Sequence, residues 1–286
     1  MKKFALVLSL ALMTVFTGCG TGATAPVPTE TPAVEAPAET ATEAPAEATA
    51  DTPNVQKIKD NGVLKVGVKV DVPKFGYKDP ATEVVEGMEI DIAKAIAKEV
   101  LGDENKIEVQ AVTAKTRGPL LDSGELDLVI ATFTITEERK ESYNFSQPYF
   151  VDGVALLVKK DKGFTSYKDL DGKAIGVAQS ATSKKALEEA ATEQGISVKF
   201  SEYASYPEIK AALESGRVDA FSVDAAILNG YVDDNSEILP DRFSPQEYGV
   251  ASKKSNTDLA KVVDDLIGEM KSNGELDGLI EKWGIK

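Results

Sequence analysis

The chain has 286 residues, 42% hydrophobic and 28% charged, enough for one large domain or two moderate ones, each with its own core. Its formal net charge of −15 argues against a nucleic-acid partner, because phosphate binding needs a basic stripe. With no histidine and a single cysteine, Cys19, it has no ordinary general base near neutral pH, no intrachain disulfide and no Cys-rich metal site.

In chain order, Met1 to Gly22 reads as an export signal. Lys2 and Lys3 supply the positive end, and Phe4 to Phe16 is apolar apart from Ser9 and Thr14. That stretch is short for a membrane span. Phe16-Thr17-Gly18-Cys19 resembles a bacterial lipobox, with Phe16 in place of the usual Leu. The resemblance implies a signal peptide over residues 1–19, with the thiol of Cys19 acylated and fixed to a membrane. The alternative is a plain secretory signal with an incidental cysteine. Residues 20–53 are Ala, Thr, Pro and Glu, broken by Pro26, Pro28, Pro32, Pro37, Pro45 and Pro53. Lacking large apolar side chains, the segment is expected to be a disordered tether that adds up to about 3 Å of reach per residue.

From Asn54 the chain changes character. Without the two signal lysines and six linker acids, 30 basic and 41 acidic residues remain, a net of −11. Val63–Val68 reads as a buried strand. Met88–Val100 has helical periodicity, with Ile90, Ala93, Ile96, Ala97 and Val100 on one face. Strands are predicted at Ile107–Val112 and Leu126–Ile130, with a short helix Arg117–Ser123 between them, stopped by Gly124. Val154–Val158 and Ala174–Ala178 follow as strands. Helix Ser183–Gln194 ends at Gly195, strand Val198–Phe200 follows, and helix Tyr206–Ser215 ends at Gly216. Ala220–Val223 is a strand, and Thr257–Asn273 and Leu276–Trp283 are helices. Two rounds of βαβ units predict an α/β protein of two lobes with mostly parallel sheets. Ligands on such sheets bind beyond the carboxyl ends of the strands, so two facing lobes imply a cleft site.

Four segments carry a family resemblance. They are GMEIDIAKAIA (Gly87–Ala97), DLVIATFTITEERKESYNFSQPY (Asp127–Tyr149), GVAQSATSKKAL (Gly176–Leu187) and SGRVDAFSVD (Ser215–Asp224). Together they resemble the family 3 solute-binding proteins of polar amino-acid ABC transporters, which have the two-lobed type II periplasmic-binding-protein fold. The resemblance covers essentially all of residues 54–286. Through VTAKTRGPLLDSGELD (Val112–Asp127) and SYPEIKAALESGRVDAFSVD (Ser205–Asp224) it is closest to the aspartate/glutamate branch. It implies a first lobe of residues 54–154 and 249–286 and a second of 155–248. Val154–Val158 and Tyr248–Ala251 would be the crossing hinge strands.

A free α-amino acid presents a carboxylate and an ammonium, and burying either costs several kcal/mol unless it is paired. Arg139 offers two parallel N–H donors to the α-carboxylate, just inside a helix that Thr136 can cap. The alternative is a surface arginine paired with Glu137 or Glu141. Thr182, between a strand and a helix, can bind the same carboxylate, cap the helix, or do both. Asp224 follows a strand and can accept the α-ammonium; it too can be a plain N-cap. The Thr132 carbonyl and Thr134 hydroxyl would complete the ammonium's bonds. The matching residues of the family act this way. The resemblance further implies that Lys69, Arg117 and Tyr206 hold a side-chain carboxylate, which two cations and a phenol suit. Ion pairs of Lys69 and Arg117 with Asp71, Asp91 or Asp122 are the alternative. Phe75 packs either over the ligand or in the core.

The expected function is therefore capture of a free amino acid, acidic by preference, for an ABC permease in the membrane. The protein would sit outside the cytoplasm on its lipid anchor, with no cofactor, no metal and no catalytic residue. The same clamp on glutamine, cystine or another polar amino acid is the alternative ligand reading. A small dehydratase on the same fold and a sensory or adhesive surface role are the alternative functions.

Overall fold

The computed structural model describes residues 54–285, so the expected signal peptide, Cys19 and the tether lie outside the described residues. Two mixed β-sheets flanked by helices form the two lobes. In the first sheet the strand Leu64–Val68 lies second from one edge. It runs parallel to Ile107–Ala111 on one side and to Leu128–Ile130 on the other. Ala251–Lys253 then joins antiparallel between Leu128–Ile130 and Tyr143–Phe145. The chain thus leaves this sheet after Phe145 and returns at Ala251. The second sheet runs in the order Lys199–Tyr203, Ala174–Ala178, Ala220–Asp224, Phe150–Lys159, Ser236–Ile238. Its first two joins are parallel, and every join to the long strand Phe150–Lys159 is antiparallel.

The sheets are therefore less parallel than the βαβ pattern predicts. The antiparallel strands belong largely to the segments where the chain passes from one sheet to the other. Such strands enter without the helical crossover that parallel pairing requires. The chain passes to the second sheet between Phe145 and Phe150, earlier than Val154–Val158, and returns between Tyr248 and Ala251. Beside these passages the long strand pairs antiparallel with Phe243–Tyr248, with Tyr248 opposite Phe150 and Phe243 opposite Val154. The register shifts between Phe243 and Pro245, where proline has no N–H for the ladder. That proline, with polar neighbours, is why Phe243–Tyr248 carries no strand pattern.

Both faces of each sheet are covered, so alternate residues enter different cores. On the long strand, Val154, Leu156 and Val158 pack into one cluster, and Ala155 and Leu157 into another. Leu128 and Ile130 share that second cluster with residues of both lobes, and Val129 and Ala131 face a third. Helix Met88–Leu101 buries Ile90, Ala93, Ile96, Ala97 and Val100 as its periodicity predicts, and Gly102 in the left-handed region ends it. Gly87 precedes this helix with φ 139°, a backbone that suits glycine. No helix among the described residues is long and apolar enough to cross a membrane.

Candidate functional site

The parallel strands deliver polar side chains at their carboxyl ends, as open α/β sheets do. Lys69 follows Leu64–Val68, Arg117 opens the helix after Ile107–Ala111, and Thr132 and Thr134 follow Leu128–Ile130. From the second sheet come Thr182 after Ala174–Ala178, Tyr206 after Lys199–Tyr203, and Asp224 at the end of its strand. Among the described residues the buried charged side chains are Lys69, Glu89, Arg117 and Asp224. All of them gather here, close enough to perturb one another's ionisation. Burial pushes both carboxyls up and both cations down.

Arg139 forms no ion pair with Glu137 or Glu141. Thr136 caps its helix by accepting from the Arg139 N–H at 3.2 Å, which leaves the guanidinium free to turn into the cleft. Nη1 donates to the Thr134 carbonyl at 2.7 Å, and Nη2 reaches across to the Ser180 carbonyl at 3.1 Å. The Phe133 ring holds both guanidiniums, Arg117 at 4.0 Å and Arg139 at 4.8 Å from its centroid. Burial, and then the neighbouring Arg117 cation, lower the Arg139 pKa to about 9. An arginine held this way is a site short of an anion.

Neither Thr182 nor Asp224 caps its helix with its side chain. The cap of Ala225–Leu228 comes from Asp152, which accepts from the Ala226 N–H at 2.6 Å. Asp224 instead accepts from the Tyr248 hydroxyl and faces the other charges. Burial, with Asp152 adding to it, pushes its pKa up to about 7 against the Tyr248 hydrogen bond. Only ionised Asp224 can hold an ammonium, so protons compete with such a ligand below that value. Ligand affinity is expected to be level above about pH 7 and to fall towards pH 5, by up to about tenfold per unit. Titration calorimetry across that range checks it, and a flat affinity would remove Asp224 from the ammonium site.

The Thr182 hydroxyl donates to Gln246 Oε1 at 2.6 Å, and the Thr134 hydroxyl donates to the same oxygen at 2.9 Å. One amide oxygen on a crossing strand thus ties a hydroxyl from each sheet's ligand-facing end. Gln246 is 1% exposed and lies on the strand that sequence reasoning did not find. Gln246→Ala would leave the buried Thr134 hydroxyl and the half-buried Thr182 hydroxyl without their acceptor, so ligand affinity is expected to fall about tenfold by calorimetry.

At the other end, Lys69 pairs with Asp71 at 2.9 Å and sits 4.4 Å from the centre of the Tyr206 ring. Asp71 accepts from the Tyr206 N–H at 3.4 Å through its second carboxylate oxygen, and its carbonyl accepts from the Tyr231 hydroxyl. The lobes are therefore in contact on this side too. Arg117 makes no ion pair among the described residues. Its Nη1 donates to the Ala131 carbonyl at 2.6 Å and to the Thr132 carbonyl at 3.2 Å, and its Nε has no partner. Phe75 is fully buried, edge-on to Phe150 at 5.2 Å and Tyr248 at 6.0 Å. It sits in the core behind the site.

Glu89 was missed by sequence reasoning. Its Oε1 accepts from the Thr132 N–H at 2.5 Å and the Tyr149 hydroxyl at 2.6 Å, and its Oε2 has no partner. Thr132, with φ 44°, is held in the left-handed region between Glu89 and Arg117. The available signal was an acid on the apolar face of a helix, in line with Ala93, Ile96 and Val100.

Comparison with known proteins decides the family. The profile of the bacterial extracellular solute-binding proteins, family 3, matches residues 64–286. The chain belongs to that family. It is 42% identical over 229 residues to the ABC transporter glutamine-binding protein GlnH of Bacillus subtilis, covering 79% of this chain and 82% of that one. It is 32% identical over 238 residues to the glutamate/aspartate import solute-binding protein of Salmonella typhimurium, covering 80% and 78%. Among solved structures, an ancestral arginine-binding protein bound to arginine matches with TM-score 0.69 and 38% identity, over 78% of this chain and 98% of that one. These family 3 relatives share the two-lobed type II fold, and the site described above lies between the two sheets of this one.

Proposed function

We propose that this family 3 protein is the amino-acid-binding component of an ABC importer and holds its ligand between the lobes. The observation that carries the reading is the set of buried charges meeting from both sheets, with Arg139 short of an anion and Asp224 facing them. Arg139 takes the α-carboxylate, helped by Thr182. Asp224 takes the α-ammonium, with the Thr132 carbonyl and Thr134 hydroxyl. Lys69, Arg117 and Tyr206 surround the side chain, and Phe75 backs it. Closure adds contacts from the second lobe and excludes water, and the closed form then docks on the permease.

The first lobe takes residues 54–154 and 249–286 and the second 155–248, a division supported by the return of Ala251–Lys253 to the first sheet. Cys19 and the tether hold the protein on the outer face of the membrane. The ligand is a polar amino acid of the glutamine or glutamate type. The case for an acidic side chain needs two free cations, and one of them, Lys69, is already matched by Asp71. The more similar of the two transport relatives is the one named for glutamine. Titration calorimetry against the twenty amino acids tests the reading. Micromolar or tighter binding of one polar amino acid is expected, and no binding of any would end it.

A further inference from the structure

The two cations at the side-chain end each have a buried or half-buried carboxylate assigned to them. Lys69 has Asp71 at 2.9 Å. Arg117 has Glu89, and one peptide unit joins the two. The carbonyl of the Ala131–Thr132 peptide accepts from Arg117 at 2.6 Å, and its N–H donates to Glu89 at 2.5 Å. Cation and anion are thus fixed at opposite ends of a single dipole, in a buried place. With Arg139 and Asp224 matched to the two charges common to every amino acid, the remaining Lys69, Arg117, Asp71 and Glu89 sum to zero. Besides Asp71 Oδ1, which faces Lys69, and Thr132 Oγ1, the buried atoms without a hydrogen bond among the described residues are one donor and one acceptor. Arg117 Nε is a donor without an acceptor and Glu89 Oε2 an acceptor without a donor. A carboxamide offers both complements, one C=O and one N–H₂, whereas a carboxylate offers acceptors alone.

We propose that Glu89, with Asp71, determines specificity by cancelling the Arg117 and Lys69 cations, so that the site selects a carboxamide side chain over a carboxylate. This rests on the amino-acid-binding reading above and adds the side-chain class. A carboxylate ligand would bring an uncompensated negative charge into a dry site, beside Glu89 and Asp71. Burial acts most strongly on Glu89 and pushes its carboxyl up, while the Tyr149 hydroxyl, the Thr132 N–H, Arg117 and Lys69 act against it in favour of the charged form.

The test measures Kd for glutamine and for glutamate on the wild-type protein, Glu89→Gln and Asp71→Asn. Wild type should prefer glutamine. Each substitution removes one negative charge, buried at Glu89 and half-buried at Asp71, so each should shift the glutamate-to-glutamine affinity ratio towards glutamate by about tenfold or more. In Glu89→Gln the new amide oxygen can still accept from Thr132 and Tyr149, and a thermal melt reports whether the fold holds. If Glu89→Gln does not fold, Asp71→Asn alone gives the answer, since it lies outside that network. A ratio unchanged in the variants that fold, or a wild type that prefers glutamate, overturns the proposal while leaving amino-acid binding intact. Loss of all binding in the wild type would instead remove the reading on which it rests.

Discussion

Arg139→Ala should weaken binding of the cognate amino acid by about a hundredfold to a thousandfold, since removing one partner of a desolvated charge pair costs about 3–5 kcal/mol. The loss has two parts. The ligand carboxylate loses its bidentate partner, and Thr134 and Ser180 lose the guanidinium that joins them. Arg139→Lys should recover little, because an ammonium cannot present parallel donors to a carboxylate, and it would lose the guanidinium's place over the Phe133 ring. Asp224→Asn should lose affinity on the same scale while removing the fall towards low pH. Titration calorimetry reads both, and a melting curve shows that the fold persists. Binding within about threefold of wild type in Arg139→Ala would move the α-carboxylate elsewhere.

Gly87→Ala should cost about 3 kcal/mol or more of folding stability, measured by urea unfolding. Two effects add. At φ 139° an L-residue is strained, and a Cβ there would fall 2.1 Å from the Phe75 carbonyl oxygen and 2.9 Å from the Gly76 nitrogen. The Phe75 carbonyl cannot simply move, because it accepts the Glu89 N–H at 2.9 Å. Relief would therefore displace either Phe75, which packs behind the site, or Glu89, which holds Thr132. Affinity should fall along with stability. A stability change below about 0.5 kcal/mol would mean that this turn relaxes freely.

Elements with strong periodicity were legible from the sequence. Met88–Leu101, Ser183–Gln194 and Ala174–Ala178 form where the apolar spacing and the glycine stops place them. The strand Phe243–Tyr248 was not legible, because Pro245 and the polar residues around it hide its buried Gln246 and Tyr248. The same gap hid Gln246 as a partner of Thr134 and Thr182. At the site, the family resemblance, together with residue types near strand ends and helix starts, pointed to Arg139, Asp224, Lys69 and Arg117, and the structure brings these side chains near one another. What sequence could not supply was their pairing. Asp71 stands two residues from Lys69 and was named only as an alternative partner, and Glu89 is far from Arg117 in the chain except through the folded Thr132 turn. Cations are visible one at a time in a sequence, and their cancellation is visible only in space.

Three residues other than glycine adopt left-handed backbone around the cleft: Thr132, Ser180 and Ser244. Thr132 is the costliest of these, because a β-branched side chain crowds that conformation. Its carbonyl, its N–H and its hydroxyl all lie where the charges converge. A glycine would settle there with less strain and fold at least as well, yet it would leave the pocket without that hydroxyl. Stability and recognition therefore pull this position in opposite directions. A library of variants sorted by expression alone would drift away from the threonine, and one sorted by uptake would keep it.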